Sequence, residues 1–173
     1  MRVEIVTEIA SLKDGLLPGR GEASEKGSES QVLADLRAAL SGKDSFLQLQ
    51  DSVAGFPGHS GEAHGAYVGK LMINFRRLDL NRDRNLYLTL LQTLQELLKK
   101  TSSSDALFAT MCVTVPTTEK AHAREPSLVL QLEAIGSTPE QAELRWCSGL
   151  VYVQEVLLSA SHLLRQHVAK TGV

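Results

Sequence analysis

The apolar positions of this chain change period several times, and each change marks an element. Val32, Leu33, Leu36, Ala39 and Leu40 share one helical face, so a helix is predicted over residues 31–40, with Ser30 as its N-cap and Gly42 as its stop. A wider stripe of Leu86, Leu90, Leu91, Leu94, Leu97 and Leu98 predicts a second helix over 85–100, with Lys99 and Lys100 at the end where cations favour the helix dipole. A third is predicted over 157–169, with Leu157, Leu158, Leu164 and Val168 on its buried side. Between them lie strand patterns. Residues 66–78 alternate in part, through Tyr67, Val68, Leu71, Ile73 and Phe75, and run into a charged turn at 76–84. Residues 106–115 are almost unbroken apolar and end at Pro116, which predicts a strand covered on both faces near the sheet centre. Leu128, Leu130 and Leu132 predict a strand over 127–135, and GLVYVQEV predicts another over 149–156. Residues 3–12 and 45–49 fit either period.

Two segments break the pattern. Residues 15–30 are rich in Gly, Ser and Glu, and 52–65 carry Pro57 among several glycines, so both are expected to be mobile loops. The resulting order is helix, strand, helix, three strands and helix, with a possible extra strand at the start. A long helix between two strands points to a parallel pair and the short later connections to antiparallel ones, so an α/β fold on a mixed sheet is expected. At 173 residues and 43% hydrophobic, the chain is expected to form a single domain over 1–173.

Charge narrows the function classes. Eighteen basic against twenty acidic residues give a net charge of -2, so any contact with nucleic acid or membrane must be local. Leucine occurs 28 times against eight aromatic residues, which points to a Leu-packed core and away from an aromatic binding surface. Two cysteines, Cys112 and Cys147, cannot build a disulfide framework. The acidic residues within the N-terminal apolar stretch argue against a signal peptide, no 18-residue apolar run is seen, and a soluble intracellular chain is expected.

Candidate chemistry is sparse. Gly65-Ala-Tyr-Val-Gly69-Lys70 lacks the four-residue spacing and the Ser or Thr of a phosphate loop, and reads as a turn entering a strand. Asp79, Asn81, Asp83 and Asn85 imitate the start of a calcium loop, but Arg84 and Leu90 stand where Gly and Glu are required. The plainer reading is a polar turn in which Asp83 or Asn85 caps the next helix. His59, Glu62 and His64 lack a third ligand at metal spacing, and His162 and His167 diverge on a helix. Cys112 in an apolar strand and Cys147 beside Trp146 at a loop edge read as inert thiols. The expectation is therefore a non-catalytic protein without cofactor or metal. One charge feature remains: Arg76, Arg77, Arg82 and Arg84, offset only by Asp79 and Asp83, are the candidates for phosphate contact with RNA, against a solvated loop.

Taken in order, QVLADLRAAL, KLMINFRRL, LYLTLLQTLQELLKKTSSSDA feeding FATMCVTVP, SLVLQLEAI and WCSGLVYVQEV resemble the C-terminal half of the Elongator complex protein 4 family. The corresponding pieces include Thr114-Val115-Pro116, Leu132-Glu133-Ala134-Ile135 and Gly149-Leu150-Val151-Tyr152-Val153, and the resemblance covers about residues 30 to 168. It implies a three-layer RecA-like partial domain, a central sheet flanked by helices. It also implies a non-catalytic subunit of the Elongator accessory ring, with the fifth and sixth subunits and tRNA as partners, supporting wobble-uridine modification. Location would be cytoplasmic, also nuclear, with neither membrane nor DNA as partner. The family's nucleotide-loop half has no counterpart here. The element order also fits a small roadblock or longin-like dimeric scaffold of trafficking or signalling. Strand direction separates the two readings: parallel strands at 66–75 and 106–115 suit the RecA-like half, antiparallel ones the roadblock sheet.

Overall fold

The computed structural model describes residues 2–5, 27–58, 65–99, 107–114 and 126–171. In chain order these form β1 (Arg2–Ile5), α1 (Gly27–Ser41), β2 (Leu47–Gly58), β3 (Gly65–Phe75), a 3-10 turn (Leu78–Arg82), α2 (Arg84–Lys99), β4 (Leu107–Thr114), β5 (Ser127–Gly136) and α3 (Pro139–Thr171). The chain is α/β, with one mixed sheet in the order β1-β4-β5-β3-β2. Adjacent strands are antiparallel except for the parallel pair β1–β4.

Alternation places the core. Tyr67, Leu71, Ile73 and Phe75 of β3, Leu128, Leu130, Leu132 and Ala134 of β5, and Ala109 and Met111 of β4 face one side, and all are buried in one cluster with the helices. Residues between them, such as Val68, Lys70 and Met72, are only partly buried. Three helices cover the buried side: α3 lies over β5 and β3, with α1 beside it over β2 and α2 beside it towards β4 and β1. Among the described residues this is a two-layer arrangement, and no helix covers the second face. The α/β class stands, and the described residues show two layers where the RecA-like expectation calls for three, because the unbroken apolar rows of β3 and β5 face the helices.

Strand direction agrees with the parallel expectation in part. β3 and β4, joined through α2, run the same way, but β5 lies between them and is antiparallel to both. β4 is therefore second from an edge, and β5 is the central strand. β4 is also not buried on both faces: Ala109 and Met111 are buried, whereas Thr110 and Cys112 are partly exposed.

The largest correction falls on residues 149–156, which are helical. They lie inside α3, whose buried positions Trp146, Leu150, Val153, Leu157, Ala160, Leu164 and Val168 step by three and four, with Gly149 and Val156 beside them. That is one helical face, hidden within a β-branched stretch that also alternates. The same finding removes the family's terminal strand at Gly149–Val153 from the resemblance. Leu158, expected on the buried side, is 37% exposed. By length and composition α3 would suffice to cross a membrane, contrary to the expected absence of such a run, yet half of its apolar window is buried in the fold.

Both expected loops shorten. Residues 27–30 form the first turn of α1, so Ser30 is inside the helix and not its N-cap. Residues 52–58 continue β2, with register shifts between Leu49 and Asp51 and between Val53 and Phe56. β2 is an edge strand, where irregular register and Pro57 are tolerated because one side of the backbone has no ladder to complete. Residues 15–26 and 59–64 of those loops lie outside the described residues. Gly42 does stop α1, its N–H donating to the Ala39 carbonyl at 3.3 Å.

Close backbone approaches fix α3 on the sheet. A Cβ on Gly69 would meet the Trp146 ring at 2.3 Å, and one on Gly65 would meet the Thr138–Pro139 peptide within 2.6 Å. The missing side chain at Gly69 lets the indole lie on β3, where Nε1 donates to the Leu132 carbonyl at 3.1 Å. At the other end of α3, the buried Ser161 hydroxyl accepts the Phe46 N–H, and Arg165 donates to the Asp44 carbonyl.

Candidate functional site

The four arginines divide into two kinds. β3 ends at Phe75, so Arg76 enters the turn beside the C-terminus of α1, where Nη1 donates to the Ser41 carbonyl at 3.2 Å and to that of Gly42 at 2.5 Å. The Ser41 carbonyl is one that a helix end leaves without an intrahelical partner, the Gly42 carbonyl also accepts the Ser45 N–H at 3.0 Å, and a cation there complements the helix dipole. Arg77 pairs with Asp79 through two hydrogen bonds. Each raises the other's charged form: the Asp79 carboxyl is held below its usual range by the guanidinium, and Arg77 is pushed up by the carboxylate. Arg82 and Arg84 are exposed and make no ion pair among the described residues. Two of the four arginines thus serve the local fold, and two project into solvent around the start of α2.

The acidic and amide groups of the same turn are structural. Asp83 caps α2, its Oδ1 accepting from the N–H of Asn85 at 2.9 Å and of Leu86 at 3.2 Å, which is the plain reading of the calcium-like spacing. Asn81 is fully buried; its Oδ1 accepts the Phe75 N–H at 2.8 Å and lies 3.2 Å from the Tyr87 hydroxyl oxygen. The paired register of β3 and β5 ends at Ile73 and Leu128, so Asn81 completes the ladder where β5 has run out. The Tyr87 hydroxyl donates its proton to the Pro126 carbonyl at 2.6 Å. Nothing in the alternation of apolar residues signals this network.

The remaining sequence candidates do not converge. Gly65 to Lys70 is the first half of β3, a strand and not a turn entering one. His162 and His167 are both exposed on α3, with Gln166 hydrogen-bonded to His162. His59, Glu62 and His64 lie outside the described residues, among which no cluster of His, Cys, Asp and Glu is arranged to hold a metal. Cys147 is buried within α3 and Cys112 is half-buried on β4. Burial pushes the Cys112 thiol up, and the positive charge of Lys70 offsets part of that rise.

What sequence reasoning missed is the second face of the sheet. Val68, Lys70 and Met72 of β3, Val129, Gln131, Glu133 and Ile135 of β5, and Thr110 and Cys112 of β4 are all partly exposed there. Register sets them in rows: Met72 opposite Val129, Gln131 between Lys70 on β3 and Thr110 on β4, and Val68 opposite Glu133. At one end the row turns polar. Asn74 lies opposite Gln48, and the Ser127 hydroxyl donates to Gln50 Oε1 at 3.1 Å. Asn74 is 4% exposed, and its Oδ1 has no hydrogen-bond partner among the described residues. The signal was present in the alternation of β3 and β5, which a strand covered by helices on both sides would have lacked.

No family model, curated protein or solved structure matches the chain.

Proposed function

We propose that this chain is a non-catalytic subunit of a protein assembly, docking a partner protein on the second face of its sheet. The observation that supports this is the one-sided cover: α1, α2 and α3 all pack on the same face, and the opposite face carries Val68, Met72, Val129 and Ile135 only partly buried. Apolar side chains on either side of a polar row formed by Lys70, Gln131 and Thr110 make a mixed apolar and polar surface of the kind protein interfaces use. An Elongator accessory role is a narrower form of the same reading. It retains the expected segment order up to β5, and Arg82 and Arg84 are the arginines left to meet tRNA phosphates. A roadblock-like dimer joined through sheet edges draws less support, because β2 is interrupted by two register shifts and carries Asp51 and Pro57 on its edge.

The test is a tagged chain recovered from its native cell at low salt, with proteins and RNA identified, beside two variants. Met72→Glu with Val129→Lys should lose the partner protein while far-ultraviolet circular dichroism and thermal midpoint stay near wild type. Arg82→Glu with Arg84→Glu should keep the protein and lose RNA if the narrower reading holds. Equal recovery of the same proteins by wild type and the Met72, Val129 variant would overturn the docking face.

A further inference from the structure

Three chain segments meet at the pole where β3 ends, and they gather positive charge there. The turn after α1 is held from two sides: Arg76, just beyond β3, donates to the Ser41 and Gly42 carbonyls, and Arg165 of α3 donates to the Lys43 and Asp44 carbonyls. The Arg76 N–H also donates to the Phe46 carbonyl at 3.1 Å, so the start of β2 lies at the same place. The 3-10 turn and the first turn of α2 follow directly from β3. Lys43, Arg76, Arg77, Arg82, Arg84 and Arg165 are thereby brought to one pole, all of them exposed. The carboxylates of the same segments are Asp44, Asp79 and Asp83, and each is engaged: Asp44 lies 3.7 Å from Arg165, Asp79 pairs with Arg77, and Asp83 caps α2. Lys43, Arg82 and Arg84 make no ion pair among the described residues. The whole chain has a net charge of -2, so a pole with twice as many cations as carboxylates leaves the rest net acidic.

The same pole exposes apolar side chains. Leu78, 67% exposed, sits beside Arg77 on a turn anchored from within by the buried Leu80 and Asn81, and Leu88, 51% exposed, stands one turn along α2 from Arg84 on the same helix side. The charge calls for a polyanionic surface, and the leucines choose which one. A nucleic acid offers phosphates to arginine and bases to aromatic side chains, but Phe75 and Tyr87 are buried here and Phe46 packs edge-on against Phe75. An anionic bilayer uses both features, since its headgroups attract cations and its acyl boundary buries apolar side chains. From this juxtaposition we infer that the pole is a peripheral contact for an anionic lipid membrane, with the cations on the headgroups and Leu78 and Leu88 entering the boundary below them. The contact lies at the end of the sheet and not on its second face, so it goes beyond the docking reading and the two can fail separately. It assigns Arg82 and Arg84 to lipid phosphates in place of tRNA.

The test is flotation of the purified full-length chain with vesicles of phosphatidylcholine alone and with vesicles that also contain phosphatidylserine, at low and high salt. Wild type should float only with phosphatidylserine present, and less at high salt. Arg82→Glu with Arg84→Glu should weaken binding about tenfold or more. Leu78→Gln with Leu88→Gln should weaken it severalfold with the salt dependence retained, and both pairs should leave circular dichroism unchanged because all four positions are exposed. Met72→Glu with Val129→Lys should float like wild type. Absence of flotation with phosphatidylserine at low salt overturns the inference, as does wild-type binding by either the arginine or the leucine pair. Loss of flotation in a folded Met72, Val129 variant would move the contact to the sheet face and overturn the pole. A chain that does not float yet shifts tRNA in a gel, with the shift lost in Arg82→Glu with Arg84→Glu, overturns it too and gives the cations to nucleic acid.

Discussion

Trp146 shows how one side chain fixes the relation of a helix to a sheet. Its ring lies against Gly69, stands edge-on to Tyr67 at 5.4 Å between centroids, and donates to Leu132 on the neighbouring strand. Gly69→Ala should destabilise by about 1–3 kcal/mol, since the added methyl meets a buried ring and the backbone of two elements must shift; urea unfolding measures it, and an unchanged midpoint would contradict the packing. Asp83→Ala should cost about 1 kcal/mol through loss of the α2 cap, read in the same assay. The Cys112 thiol carries a pH prediction. Its pKa is raised in the fold, so its neutral form is favoured there, and that contribution is present below the unfolded value and is lost as pH rises through the folded one. Native Cys112 should alkylate with iodoacetamide more slowly than a free thiol at pH 8.5, and Cys112→Ser should reduce the loss of stability above that pH. The half-burial of Cys112 was legible only in part, because an apolar run does not say which of its residues face the uncovered side of the sheet. The role of Trp146 was not, since the indole acts through a glycine 77 positions away.

At the scale of elements, α1, α2, β3 and β5 follow their apolar periods closely, while the first half of α3 does not. Gly149 to Val156 satisfies two periods at once, and β-branched residues tilted the reading to strand. The deciding signal was upstream. Thr138-Pro139-Glu140-Gln141 is a helix start: the Gln141 N–H donates to Thr138 Oγ1 at 3.2 Å, and Gln141 Oε1 reaches back to accept the Ser137 N–H at 2.7 Å. Pro139 occupies the first helical position, where its missing N–H costs nothing. Thr138→Ala should therefore lower stability by about 1 kcal/mol, and Cα chemical shifts should be helical without a break from residue 140 to 168. A strand-like shift pattern over 149–156 would refute the element. β2 was hidden for the opposite reason, because Pro57 and its glycines read as loop in any strand but an edge one.

For the whole molecule, the face each strand buries was legible, but its neighbours were not. Alternation says which side of β3 and β5 is apolar; it cannot say that β5, the last strand in sequence, inserts between β3 and β4. Strand order is set by which non-local pairing buries the most surface with the helices, and that sum has no local mark. The same limit explains why four arginines close in sequence divide into two that hold the fold and two that face solvent. The docking account makes a direct prediction from two methionines on opposite faces of the sheet. Met72 is partly exposed on the second face, and Met111 is fully buried against the helices. Hydroxyl-radical footprinting, in which accessible methionine is oxidised to sulfoxide, should be run on the purified chain and on the assembly recovered from cells. Met72 should oxidise readily in the purified chain and become protected several-fold in the assembly, with Met111 slow in both; equal Met72 oxidation in the two samples would contradict a partner on that face.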